Sequence, residues 1–220
     1  VVEDAAESLG TKYLIGKNAE SHTGSIGEIG CLSFNGNKII TAGGGGMILT
    51  SDSNIAEKAR YLSTQAKDDP LRYVHNEVGY NYRLTNIQAA LGLAQFEQLT
   101  EILIKKKFIH NEYISKVDNI EGLSIAKTPV YSDNNCWMNI LKINKSKYFK
   151  SNEELIKRFS KHDIQTRPVW HLNHLQNPYK DSQSYKIENA YNLISDSLCI
   201  PSSNNISNSH LNKVINFLKN

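Results

Sequence analysis

The chain has 220 residues, 40% of them hydrophobic and 21% charged, and 25 Lys and Arg against 22 Asp and Glu leave a formal net charge of +3. So mild a balance does not build the concentrated basic face that nucleic acid requires, and no stretch approaches the roughly 18 consecutive apolar residues of a membrane-spanning helix. The three cysteines, Cys31, Cys136 and Cys199, are far apart with no C-x-x-C pair, which argues against a zinc site or disulfide frame and for reduced core thiols in a cytoplasmic protein.

In chain order, Val1-Val-Glu-Asp4 reads as the end of a buried strand. It delivers an acid to its carboxyl edge, where open α/β sheets place ligands. Residues 31–34 form a short apolar strand, residues 35–38 a polar turn carrying one lysine, residues 43–46 a four-glycine run, and residues 47–50 a second strand. Residues 55–66 have helical spacing, with Asp52 or Ser53 available as the cap. Residues 67–77, which include Pro70, read as a loop. A long amphipathic pattern then runs from Thr85 to about Val117, with Lys105, Lys106 and Lys107 on its solvated side.

From about Leu123 the pattern becomes α+β. Residues 137–143 alternate as a strand, and Ser151 caps a helix to about Lys161, with Glu154 completing a capping box. Residues 164–169 are extended, and helices follow over 185–195 and 207–218. The expected organisation is residues 1–84 as the tail of a large α/β domain, 85–118 as a long connecting helix, and 119–220 as a small α+β domain.

Lys38, in a tight turn between two strands, is the chemically pointed residue. Burying an ammonium is costly unless it is paired or made neutral, and a desolvated lysine can form a Schiff base with a carbonyl. Gly43 to Gly46 lack the Gly-Lys-Ser/Thr ending of a P-loop, and Gly24, Gly27 and Gly30 miss the dinucleotide fingerprint by one position. From these residues alone, a solvated turn lysine beside a flexible loop stays open as an alternative.

Three motifs accompany that turn. The chain opens Val1-Val-Glu-Asp-Ala-Ala-Glu-Ser-Leu-Gly10, passes through His22-Thr-Gly-Ser-Ile-Gly-Glu-Ile-Gly30, and later reads Gly79-Tyr-Asn-Tyr-Arg-Leu-Thr-Asn-Ile-Gln-Ala-Ala-Leu-Gly92. In this combination it resembles the DegT/DnrJ/EryC1/StrS family of pyridoxal-phosphate-dependent sugar aminotransferases over essentially all its length. The wording Asn35-Gly-Asn-Lys-Ile-Ile40 and Thr166-Arg-Pro-Val-Trp170 is most similar to the branch that makes 4-amino sugars for legionaminic-acid-type products. The resemblance implies an α/β fold of the aspartate-aminotransferase-like, fold-type-I class, with a partial large domain plus a small α+β C-terminal domain. Family members carry a substantial segment ahead of Val1, so the chain is expected to be the C-terminal part of a longer enzyme.

The same resemblance implies a cofactor, pyridoxal 5'-phosphate, and a set of roles. Asp4 would keep the pyridine nitrogen protonated, so that the ring accepts electrons. Glu7 would lie near the ring oxygen, where many relatives have glutamine or histidine. Lys38 would bond the aldehyde and later shuttle a proton as general base and then acid. Relatives that dehydrate their sugar carry histidine there, so the lysine favours transamination. Ser33 would donate to the phosphate. Asn81 would reach the phosphate from a neighbouring subunit, which implies a homodimer with a shared site; Tyr80 and Tyr82 would serve the same interface or simply pack in the core.

Arg83 could equally fill the phosphate position or join Arg167 and His174 on the substrate side. Arg167 suits a diphosphate or a donor carboxylate. His174 best matches the family histidine of the segment that closes over the sugar nucleotide, with His171 local. The expected reaction moves an amino group from L-glutamate to the 4-keto group of a nucleotide-linked 6-deoxy hexose, with no metal, nucleic acid or membrane partner. The alternative expectation is a catalytically incomplete fragment that acts as a dimerisation or sugar-nucleotide-binding module.

Overall fold

The computed structural model describes residues 1–219; Asn220, the last residue of the expected small domain, lies outside the described residues. The chain forms two compact units, residues 1–103 with 128–137, and residues 104–127 with 138–220.

The first unit is built on a three-stranded sheet. β1 (Val2–Asp4) lies parallel to β3 (Ile29–Ser33), which pairs antiparallel with β4 (Gly46–Leu49). β2 (Lys12–Tyr13) stands apart from this sheet. The parallel register sets Asp4 opposite Cys31 and so brings the carboxyl ends of β1 and β3 to one edge. Gly30 is required there, since a Cβ would sit 1.8 Å from the Gly24 carbonyl oxygen. Val2 is 65% exposed in this chain, not buried as expected; among the described residues β1 pairs with β3 on one side.

α1 (Ser53–Ser63) starts at Asp52, whose carboxylate accepts the N–H groups of Asn54 and Ile55, as the capping signal predicts. The pattern expected as one helix over 85–117 is two, α2 (Asn86–Glu97) and α3 (Leu99–Val117). The break is at Gln98. Its N–H donates to the carbonyls of Gln95 and Phe96 in a tightened last turn, and its side-chain amide donates to the Ala94 carbonyl. α2 is apolar yet buries no residue fully: Ile87 is 83% exposed and Leu91 45%.

β5 (Leu123–Ile125) belongs to the second unit, after which the chain returns to the first for β6 (Ser132–Asp133), antiparallel to β2. The second unit holds a four-stranded antiparallel sheet in the order β5, β7 (Asn139–Ile143), β9 (Ser197–Ile200), β8 (Arg167–Pro168). Against it pack α3 from Ile104 onward and the helices α4 (Asn152–Ser160), α5 (Glu188–Ser195) and α6 (Asn208–Lys219). Ser151 and Glu154 make both bonds of the capping box at α4. The core joins Leu141, Leu198 and Ile125 of the sheet to Tyr113, Leu155, Phe159 and Ile215 of the helices.

Lys106 corrects a further expectation. It is buried, not solvated, and donates to the Ser202 carbonyl. Nearby, His110 contacts the Asn139 amide oxygen at 2.7 Å, so this side of α3 anchors the strand ends through polar contacts. No described helix is long and apolar enough to cross a membrane, and among the described residues no group of three or more His, Cys, Asp or Glu could hold a metal ion.

Candidate active site around Lys38

Lys38 sits in the turn that follows β3. Its own N–H donates to the Asn35 carbonyl at 3.0 Å, closing the turn, and the Phe34 N–H donates to the Gly45 carbonyl at 2.9 Å. Gly45 has φ +79°, and a Cβ there would lie 2.4 Å from Leu84. The glycine run is therefore a close approach and a left-handed bend, both of which exclude side chains.

The Lys38 side chain is only 13% exposed, and its Nζ donates to Glu7 Oε1 at 3.1 Å. Glu7 lies in the turn that leaves β1. Asp4 closes the start of that turn by accepting the Ala6 N–H at 3.1 Å, and the Ala5 N–H extends the pairing to the Cys31 carbonyl at 2.9 Å. Ser33 ends β3, where its Oγ accepts the Asn35 N–H at 3.4 Å. The sheet edge therefore presents an amine, two carboxylates and a hydroxyl, a set able to capture a carbonyl compound and hold its charged groups.

Behind this edge, Glu3 fixes the loop before β3. Its carboxylate accepts the N–H groups of Gly24 at 2.8 Å, Ile26 at 2.7 Å and Gly27. Burial alone would raise the Glu3 pKa, but the three N–H donors together bring it below the ordinary glutamate value.

Two residues that local sequence did not reveal complete the surroundings. The Trp137 ring lies 4.9 Å from Lys38 Nζ, and its Nε1–H donates to the Asn37 carbonyl at 2.7 Å across 100 residues of chain. The Asn135 amide donates to the carbonyls of Glu7 at 2.9 Å and Leu9 at 3.0 Å. The one available signal was a polar pair, Asn134-Asn135, directly before an apolar strand.

The structure thus joins Lys38 to Glu7 and sets Asp4 and Ser33 at the adjacent strand ends. Asn81 and Arg83 are exposed on a separate segment, whose Asn81 bridges to Thr64 just past α1. Tyr80 and Tyr82 there are 47% and 77% exposed and stack on each other at 5.0 Å. Arg167 and His174 belong to the second unit. Arg167 is exposed on β8, and half-buried His174 contacts the Tyr191 hydroxyl at 3.2 Å, edge-on to its ring. His171 is exposed.

Comparison with known proteins places this arrangement in context. Residues 1–219 match the model of the DegT/DnrJ/EryC1/StrS aminotransferase family. The chain is 36% identical over 222 residues to EpsN of Bacillus subtilis strain 168, covering 99% of this chain and 55% of that protein. It is 36% identical over 217 residues to the GDP-perosamine synthase of Caulobacter vibrioides, covering 98% and 57%. It spans about half the length of these curated relatives. Among solved structures, the aminotransferase TlmJ from Streptoalloteichus hindustanus superposes with a TM-score of 0.87 at 21% identity over 99% of this chain and 57% of that one. DesI, in the presence of its TDP-sugar product, gives 0.86 at 21% over 99% and 54%.

Proposed function

The chain belongs to the DegT/DnrJ/EryC1/StrS aminotransferase family and has its α/β, fold-type-I architecture, and on that premise we propose that it is the lysine-bearing part of a pyridoxal-phosphate-dependent aminotransferase. The enzyme moves an amino group from L-glutamate to the 4-keto group of a nucleotide-linked 6-deoxy hexose. One observation carries this reading: the Lys38 amine is withdrawn from solvent beside Glu7, on the sheet edge that also bears Asp4 and Ser33.

Those residues fit pyridoxal phosphate. Lys38 offers a primary amine to its aldehyde, Asp4 a carboxylate to its pyridine nitrogen, and Ser33 a hydroxyl to its phosphate. When bound, the cofactor supplies an electron sink for the bond broken at the donor Cα. Lys38 Nζ accepts the Cα proton as general base and gives it back as general acid. Glu7 orients Nζ through their hydrogen bond. Over the full cycle glutamate leaves as 2-oxoglutarate, and the sugar carbonyl becomes an amine.

Asn81 of a second copy reaches the phosphate, with Arg83 beside it, and the uncovered apolar face of α2 supports such a homodimer. Arg167 and His174 take the diphosphate and sugar of the substrate. The names GDP-perosamine synthase and DesI with its TDP-sugar product, borne by relatives, support a nucleotide-linked sugar. Three cysteines far apart in the chain, with no C-x-x-C pair among them, support a cytoplasmic setting.

The test is a half-reaction of the full-length protein. L-Glutamate alone should release one equivalent of 2-oxoglutarate per cofactor, and the keto sugar should then take up the amine. Release of no oxoacid by cofactor-loaded protein overturns the assignment. The uncovered apolar face of α2 favours one other reading, a dimerisation or sugar-nucleotide-binding module, which saturable uptake of pyridoxal phosphate at Lys38 by residues 1–220 would reject.

A further inference from the structure

We propose that Asn135 and Trp137 are positioning residues, which together set where the Lys38 amine stands and which way it points. The inference rests on the reading of Lys38 as the amine that receives the cofactor. Two residues of segment 134–137, which comes back from far along the chain, reach the Lys38–Glu7 pair: Asn135 holds the Glu7 backbone, and Trp137 holds the Asn37 backbone that leads into Lys38. Asn135 donates to the Glu7 and Leu9 carbonyls and receives the Trp137 N–H on its own amide oxygen at 3.0 Å, while its N–H donates to Thr11 Oγ1 at 3.1 Å. Trp137 holds the Asn37 carbonyl, one residue ahead of the lysine, and lays its ring against Nζ.

The segment is built for this contact. Asn135, Cys136 and Trp137 are 3%, 6% and 8% exposed, and Cys136 takes φ +49°, a left-handed conformation that a non-glycine residue adopts only when its surroundings impose it. A lysine side chain has four rotatable bonds and disperses unless confined. Here the N–H clamp at Asn37 fixes the direction in which Lys38 leaves the backbone. The indole face and the Glu7 carboxylate bound the amine on two sides. Holding a reacting group in one place in this way is a recognised source of rate.

The experiment uses the full-length protein with Trp137→Leu, which removes ring and N–H, and Trp137→Phe, which keeps a ring and removes the donor. Two readouts are taken. Competitive acetylation of cofactor-free protein, followed by mass spectrometry, reports Lys38 accessibility relative to exposed Lys58. Borohydride trapping across pH reports the rate and pH midpoint of pyridoxal phosphate capture at Lys38. Lys38 should be protected in the parent, become at least five-fold more reactive relative to Lys58 in Trp137→Leu, and capture the cofactor at least ten-fold more slowly there with a displaced pH midpoint. Trp137→Phe should fall between.

A folded Trp137→Leu protein with parental protection, capture rate and midpoint overturns the proposal. If that variant does not fold, a Trp137→Phe protein matching the parent in all three does so. Capture at another lysine in the parent, with Lys38 protection still dependent on Trp137, instead refutes the assigned role of Lys38.

Discussion

The Lys38 ammonium and the Glu7 carboxylate meet at 3.1 Å, each carried on a turn that leaves the carboxyl end of one of two parallel strands. Glu7 is 54% exposed while Lys38 is 13% exposed, so water screens the pair from the glutamate side. Glu7→Gln should therefore cost no more than about 1 kcal/mol in urea unfolding and should leave Lys38 as the site of cofactor capture. A loss above about 3 kcal/mol would mark the pair as buried.

Glu3 is a structural counterpart with the opposite expectation. Glu3→Gln leaves one acceptor oxygen for three N–H donors and should destabilise by about 1.5–3 kcal/mol. Because its folded pKa is depressed, the carboxylate contributes stability above the ordinary value of 4.5, and that contribution is lost as pH falls through the lower folded value. Urea midpoints between pH 5 and about pH 3 should thus fall less steeply in the variant than in the parent.

Two buried tyrosines of the second unit carry an expectation at alkaline pH. Burial raises the pKa of Tyr113, whose hydroxyl donates to the Pro201 carbonyl at 2.9 Å, and of Tyr148, which donates to the Leu218 carbonyl at 2.8 Å. Raised folded values mean that stability is complete below the unfolded tyrosine pKa of about 10 and declines as pH rises above it. Tyr113→Phe should cost about 1 kcal/mol at neutral pH and flatten that decline, as read from urea midpoints between about pH 8 and pH 11.

How much of this was legible in sequence depends on the range of the signal. The α1 cap and the Ser151–Glu154 capping box act within one helical turn and are readable from neighbouring letters: the box is present, and of the two possible caps, Asp52 and Ser53, the structure uses Asp52. The break at Gln98 was hidden because Leu99, Leu103 and Phe108 continue the apolar spacing past it, and Lys106 was misplaced because its acceptor, Ser202, lies 96 residues away. The Lys38 turn stood out through its glycines and the flanking strands. Trp137, which shapes that turn, did not, since local sequence around residue 137 carries no trace of Asn37.

The apolar face of α2 yields a prediction about assembly. If the proposed homodimer is built on α2, Ile87→Asp in the full-length protein should raise its dissociation constant at least about tenfold, measured by sedimentation equilibrium. Ile87 is 83% exposed in this chain, so the same change should alter the stability of the monomer by no more than about 0.5 kcal/mol. Unchanged association would remove α2 from the interface.

The central claim is that the Lys38 amine receives the cofactor. Full-length protein incubated with pyridoxal phosphate, reduced with borohydride and digested should carry one phosphopyridoxyl group on the peptide that contains Lys38, and Lys38→Ala should carry none while unfolding at the parental urea concentration. A stoichiometric adduct on a different lysine, or saturable cofactor uptake that survives Lys38→Ala unchanged, would contradict the account.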